Sequence, residues 1–289
     1  MASMRQIRSR IKVAKNIQQI TKAMKMVASA RLKRAQDRVH AARPYSEKIG
    51  EVMKSLSRAG GSMQHPLLEV REPVRVGVLL ISADRGLCGS YSTNIIKKAM
   101  EVVRPLEPSH VRMMIVGRKG QAFFRRRPYP VAAEYPINMI STSFVEAKEI
   151  AAHTREMFVA GEIDLLYLVY TKFRSALVQR PMVIQLLPLT TEDSAAEDAP
   201  VTAEDYIFEP DAASILSRLL PQYVDTLIYQ ALVDAVASEY GAKMTAMSSA
   251  TDNAGKMISS LTLVLNRARQ ATITKDASLA FFLRVRPSG

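Results

Sequence analysis

The chain has 289 residues, 48% of them hydrophobic, and a formal net charge of +13. That length and composition predict one or two folded domains with a sizeable core and exclude a disordered chain. The single cysteine, Cys88, excludes an internal disulfide and a cysteine-based zinc site. His40, His65, His110 and His153 are scattered without metal-ligand spacing.

No stretch reaches the ~18 consecutive apolar residues of a membrane span, and the N-terminus has no signal-peptide core. The first residues are basic and acid-poor like a transit peptide, but their pattern runs without a break into a helix. The charge is uneven. Residues 1–58 hold 15 Lys and Arg against 3 acids; residues 59–210 hold 17 against 18, and residues 211–289 hold 8 against 6. A basic first segment wants an anionic partner, whether nucleic acid, lipid headgroups or an acidic protein surface.

From Met4 to about Leu56 apolar residues recur three or four apart: Ile7, Ile11, Ala14, Ile17, Ile20, Met24, Ala28, Leu32, Ala35, Val39, Ala42, Ile49 and Leu56. This spacing predicts one long helix with a narrow apolar stripe, reset or kinked at Pro44 and ended by the run from Ala59 to Pro66.

The middle of the chain reads differently. Val74–Ile81, Val111–Val116 and Leu165–Tyr170 are short apolar runs of buried-strand type, and Met182–Leu187 reads as a fourth. Helical patterns over Thr93–Val103, Gln121–Arg127 and Phe144–Phe158 alternate with them, which predicts a parallel α/β sheet. Thr190–Glu204 is acidic and reads as an exposed loop, with Tyr206–Phe208 as a further edge strand.

From about Asp211 the helical pattern returns, interrupted at Pro221. Val233, Ala237, Tyr240, Met244, Met247, Thr251, Ala254, Ile258, Leu261, Leu265 and Ala268 then alternate steps of four and three, a coiled-coil seam. A narrow stripe is unstable alone, so the economical partner for this helix is the N-terminal one, returning antiparallel. The expected divisions are 1–58 and 211–289, two helices pairing into a rod, and 59–210, a Rossmann-like α/β domain.

Motifs for chemistry are weak. Asp84-Arg85-Gly86-Leu87-Cys88-Gly89 spaces its glycines as G-x-x-G, which is neither a dinucleotide fingerprint nor a Walker loop. A tight strand-to-helix turn is the stronger reading. Gly117-Arg118-Lys119-Gly120 is likewise a basic loop without a complete phosphate motif. Cys88 has no histidine close in sequence, and Asp84 beside Arg85 reads as a local ion pair. Catalytic residues, metal ligands and a cofactor are therefore not expected. The N-terminal cations lack interleaved aromatics for base stacking, which weakens a nucleic-acid arm but keeps it as the alternative.

Several ordered segments resemble the gamma subunits of F-type ATP synthases. They are Gln19-Ile20-Thr21-Lys22-Ala23-Met24-Lys25-Met26-Val27-Ala28, the Asp84–Gly89 loop, Ser238-Glu239 and Met244-Thr245-Ala246-Met247 with Ala250-Thr251-Asp252-Asn253-Ala254, and Asn266-Arg267-Ala268-Arg269-Gln270-Ala271. The likeness spans Met1 to about Lys275. After that, residues 276–289 depart from the family's acidic helical ending, through natural divergence or a shifted reading frame, and Leu265 stands where an aromatic is common.

The resemblance implies a non-catalytic central stalk that rotates inside a hexamer of alpha and beta subunits. Its α/β domain would sit against epsilon and the membrane c-ring, peripheral to the cytoplasmic face of a bacterial plasma membrane. It also implies that Lys22, Met24 and Lys25 on the first helix, and Arg269 and Gln270 on the last, touch the hexamer near one collar. No cofactor, metal or nucleic-acid partner is implied.

Overall fold

The computed structural model describes residues 3–59, 65–136, 142–189 and 212–284. The acidic stretch and the Tyr206–Phe208 strand expected from sequence lie outside them. The chain divides into two units, one of residues 1–28 with 244–289 and one of residues 29–243. Helix α1 is Met4–Ala59 and helix α5 is Ala212–Arg284; both run on through their prolines, Pro44 and Pro221.

In the first unit the two helices pair antiparallel. Lys25 Nζ donates to Ser248 Oγ at 3.0 Å, and Thr251 Oγ1 donates to Thr21 Oγ1 at 2.8 Å. A Cβ on Gly255 would stand 3.1 Å from Gln18 Nε2, so glycine there admits the glutamine. On α5 the seam is the expected one: Met244, Met247, Thr251, Ala254, Ile258, Leu261, Leu265 and Ala268 are buried or half-buried.

On α1 the seam differs from the expected stripe. It runs through Ile7, Ile11, Ala14, Gln18, Thr21 and Ala28, while Ile17 and Ile20 are 48% and 59% exposed. The reason is geometric. Ala14, Ile17 and Ile20 take two successive steps of three, and a coiled coil needs threes and fours to alternate. Gln18 and Thr21 keep that alternation, and the threonine hydroxyl is satisfied by Ile17 O at 3.0 Å and Gln18 O at 3.1 Å.

The second unit is a five-stranded sheet, ordered β3-β2-β1-β4-β5, of β1 (Val76–Ile81), β2 (Val111–Val116), β3 (Val131–Tyr135), β4 (Leu165–Phe173) and β5 (Gln179–Leu187). Helices α2 (Tyr91–Val103), α3 (Arg118–Phe124) and α4 (Phe144–Val159) make the connections. β1 to β4 are mutually parallel, as the alternation of strands and helices predicts, and β5 returns antiparallel on β4 as one edge strand. A turn of a few residues after Phe173 leaves no room for a crossover, and only antiparallel pairing is then open.

β3 was not expected. Its Val-Ala-Ala-Glu-Tyr carries a single large aliphatic residue, and it becomes a strand by pairing with Met113–Val116 of β2. Val76, Val78, Leu80, Val111, Met113, Ile115 and Val169 on one face pack with Ile95, Ala99 and Val103 of α2 and Phe124 of α3. The starts of β1 and β4 are tied by Asp164, which accepts from the Arg75 amide at 2.8 Å and from its guanidinium at 2.8 and 3.2 Å. The adjacent guanidinium holds that carboxyl below the usual range.

Within this unit α5 carries five buried acids or hydroxyls among the described residues, Asp225, Thr226, Asp234, Ser238 and Glu239. Asp225 is paired with Arg155 of α4, which also donates to Pro221 O at 3.0 Å. Asp234 is 3% exposed, its Oδ1 has no hydrogen-bond partner, and burial pushes its pKa up to about 6, against the milder opposite pull of Gln230, Arg43 and Lys172. The native state therefore holds a proton between pH ~4 and ~6 that the unfolded chain has lost, so stability should fall as pH rises through that window. The shift corresponds to at most about 3 kcal/mol. Urea denaturation at pH 5 and pH 8 should show this loss in the parent chain and a flatter profile in Asp234→Asn.

Candidate functional site

Strand order reverses between β1 and β4, and in doubly wound folds the crevice beyond the carboxyl ends of such strands is where ligands bind. Here α5 fills it. Tyr91 Oη donates to Ala235 O at 3.1 Å, and Ser238 Oγ donates to Thr171 O at 3.1 Å. Ala83, Cys88 and Tyr91 pack together with Ala242 against them. Cys88 is thus a buried core residue, and burial pushes the Tyr91 phenol up, so neither presents a nucleophile.

The glycine loops are also internally committed. The backbone amides that open α3 all have acceptors within the chain. Arg118 N donates to Asp84 Oδ1 at 3.2 Å, Lys119 N to Ala83 O at 2.9 Å, and Gly120 N to Ser82 Oγ at 2.9 Å. Amides turned inward in this way cannot cradle a phosphate. Gly117 is needed for a close approach: its φ is +92°, and a Cβ there would fall 2.3 Å from Ser82 O. In the Asp84–Gly89 loop the left-handed residues are Leu87 (φ 66°) and Gly89 (φ 57°), so Gly86 is not the residue that makes the turn. Among the described residues no group of His, Cys, Asp and Glu could hold a metal ion.

Glu239 lies under the same loop, paired with Lys243 at 3.0 Å, both largely buried. Burial raises the Glu239 pKa and the lysine opposes it. Lys243 also stands over the Tyr240 ring, which Arg31 of α1 reaches from its own side, with Nη1 3.3 Å from the phenol oxygen. This cluster fastens α1 to α5, and it is structural.

The open chemistry is on the coil. The heptad residues Ile7, Ala14 and Thr21 are each followed by a cation, Arg8, Lys15 and Lys22. Ala14, Thr21 and Ala28 are each preceded by an exposed aliphatic, Val13, Ile20 and Val27. One residue is a rotation of about 100°, so the two sets occupy opposite flanks of the seam. Ile17 and Met24 add to the apolar flank. Over residues 13–28 the α1 helix therefore has a seam of small and polar residues, an apolar flank and a basic flank.

The residues singled out from sequence fall on this surface, at two levels. Lys22 is exposed on the basic flank, Met24 is half-buried, and Lys25 reaches across the seam edge to Ser248. Arg269 and Gln270 are exposed, just past Ala268. Since Thr21 pairs with Thr251, Arg269 lies 18 residues farther along the coil, about 27 Å at 1.5 Å per residue. The two groups are thus not brought together into one collar. Val13, Ile17, Ile20 and Val27 were missed as surface residues. The broken three-and-four alternation at Ile17 and Ile20 was the signal that could have found them.

Residues 3–278 match the family model described as ATP synthase. The chain is 46% identical over 278 residues to an ATP synthase gamma chain of Pelotomaculum thermopropionicum, covering 96% of each. It is 47% identical over 278 residues to the ATP synthase gamma chain of Desulforamulus reducens, again covering 96% of each. The central stalk and c-ring structure of the Tetrahymena thermophila mitochondrial ATP synthase contains a chain that is 26% identical, with a TM-score of 0.61 over 80% of this chain and 99% of that one. A chain of the Euglena gracilis mitochondrial ATP synthase rotor, 19% identical, shares the fold, with a TM-score of 0.64 over 93% of this chain and 98% of its own.

Breaking a buried ion pair costs more than replacing both members. Lys243→Met should lower the unfolding free energy of the isolated chain by about 3 kcal/mol, and Lys243→Met combined with Glu239→Gln should recover most of it. Equilibrium urea denaturation of the three proteins reads both effects.

Proposed function

The chain belongs to the ATP synthase gamma chain family, and from that premise we propose that it is the central rotating shaft of an F-type ATP synthase, coupling proton or sodium flow through a membrane c-ring to the conformational cycle of catalytic beta subunits. The observation that carries this reading is the apolar flank of α1. Val13, Ile17, Ile20 and Val27 are exposed while Gln18 and Thr21 occupy the seam. Covering a side chain such as Ile17 or Ile20 is worth roughly 1.5–3 kcal/mol, so a sequence that leaves the better apolar stripe outside its own coil is suited to a surrounding partner.

An alpha/beta hexamer is the proposed partner, with epsilon and the c-ring against the α/β domain. No helix among the described residues is long and apolar enough to cross a membrane, and the shaft would be peripheral to the cytoplasmic face of a bacterial plasma membrane. Unlike flanks give the mechanism. A contact drives a conformational change only if it differs between states, and a shaft with one apolar and one basic side meets each beta subunit differently as it turns.

The chain itself does no bond chemistry in this reading. The filled crevice at β1 and β4 and the inward-turned α3 amides support that, and equilibrium dialysis of the isolated chain with ATP should give no binding at low micromolar levels. Tight ATP binding would overturn it.

Arg269 and Gln270 are proposed to grip beta. Arginine offers a rigid fork of donors, and a charge-assisted contact contributes about 1.5–3 kcal/mol, enough to hold one rotor angle and release it at the next. Lys22, Met24 and Lys25 are proposed as a second contact, at their own level of the coil. Arg269→Ala with Gln270→Ala should change the ATP turnover rate of the purified complex severalfold at normal subunit stoichiometry. Lys22→Glu with Lys25→Glu should weaken ATP-driven ion pumping more than the melting temperature of the chain. An unchanged turnover rate in the first variant, with normal assembly, would remove Arg269 and Gln270 from the mechanism.

A further inference from the structure

The hairpin of β4 and β5 is one-sided in charge. Residues 165–187 contain Lys172, Arg174 and Arg180 and no acid. Lys172 and Arg180 are register partners across the two strands, and like charges directly opposite each other are unfavourable. Lys172 is balanced in part by the buried Asp234 of α5, whose pKa it helps to lower. Arg174 and Arg180 are exposed at the end of the hairpin.

The turn between them is built from its own polar groups. Ser175 Oγ accepts from the amides of Leu177 at 3.3 Å and Val178 at 3.1 Å. Arg174 N and Ser175 N donate to Val178 O, and Gln179 Nε2 donates to Ala176 O at 2.9 Å. The turn is seated on α5 at Gly241, where any Cβ would lie 3.1 Å from Gln179 Nε2 and 3.2 Å from Ala176 O. The result of this bonding is outward: Leu177 is 76% exposed and Val178 46%. A turn fixed by internal hydrogen bonds that holds two aliphatic side chains in water, between two arginines, is pre-organised to bind, because little backbone freedom is left to lose.

We propose that the Arg174–Arg180 turn is a protein-docking surface, and that its occupant is an acidic segment carrying at least one apolar side chain, on another subunit of the complex. The aliphatic pair supplies contact area and Arg174 and Arg180 supply the charge complement, which favours a carboxylate-bearing surface and rejects a basic one. Arginine suits such a rim, since its planar fork meets a carboxylate in two bonds. The inference rests on the shaft reading for the existence of a complex, but it assigns a surface that reading does not use.

The test uses the assembled, purified complex with the photoreactive residue p-benzoylphenylalanine at position 177. Irradiation should join the chain to one other subunit, and mass spectrometry should place the adduct in a peptide containing Asp or Glu next to an apolar residue. Arg174→Glu with Arg180→Glu in the same background should lower the adduct yield about tenfold or more, and Arg174→Gln with Arg180→Gln should give an intermediate loss, at unchanged circular dichroism melting of the chain. An adduct only with lipid, an adduct in a basic or uncharged segment, or no adduct in an assembled and active complex would overturn the docking surface and leave the shaft reading intact. A chain that enters no complex would overturn both.

Discussion

Helix α5 lies where a ligand would lie. In an open α/β sheet the space beyond the carboxyl ends of the strands at the point of reversal is unfilled by the sheet itself, because neighbouring loops diverge there. In this chain Ala235, Ser238 and Ala242 of α5 occupy that space, bonded to Tyr91 and Thr171 and packed on Ala83 and Cys88. The rest of the unit follows from the choice. The loop after β1 must be compact, which forces Leu87 and Gly89 into the left-handed region, and the α3 amides must find acceptors within the chain.

A helix laid across polar strand ends must carry polar groups of its own into the interior. Asp225, Asp234, Ser238 and Glu239 are all buried. Arg155 and Lys243 neutralise the first and last of these acids, and burial keeps Asp234 partly protonated near neutral pH. Such groups contribute little net stability when paired and are costly when stripped of a partner. Two of them tie α5 to other elements, Asp225 to Arg155 of α4 and Ser238 to Thr171 O of β4, whereas Glu239 pairs with Lys243 within α5 itself.

The coil of the first unit obeys a different rule. The middle of its seam is made of small and hydroxylated residues, Ala14, Thr21 and Ala28 with Thr251 and Ala254, which allow close approach, while larger residues such as Ile7, Ile11, Ile258 and Leu261 fill the seam farther along. The larger aliphatics of that middle stretch, Val13, Ile17, Ile20 and Val27, point away from the seam. The opposition of aliphatic and basic flanks gives this coil two unlike sides.

The sequence by itself determined the elements whose signal is local. The three-and-four repeat from Met244 to Ala268 specified the α5 seam, the apolar runs specified β1, β2 and β4, and the incomplete glycine spacings pointed away from phosphate binding, as the inward α3 amides agree. Resemblance of short motifs such as Gln19–Ala28 and Asn266–Ala271 pointed to the family.

What only the tertiary structure decided were matters of competition between near-equal local choices. On α1 two stripes are available a third of a turn apart, and the less apolar one became the seam because only it keeps the coiled-coil period with α5. β3 exists because β2 offers an unpaired edge, and β5 runs antiparallel because its connection is too short to cross over. The crevice is closed because a helix from the far end of the chain lies in it. Each of these is settled by a partner element distant in the chain or across the sheet, and only the broken alternation at Ile17 and Ile20 and the short connection after Phe173 leave a local trace of the outcome.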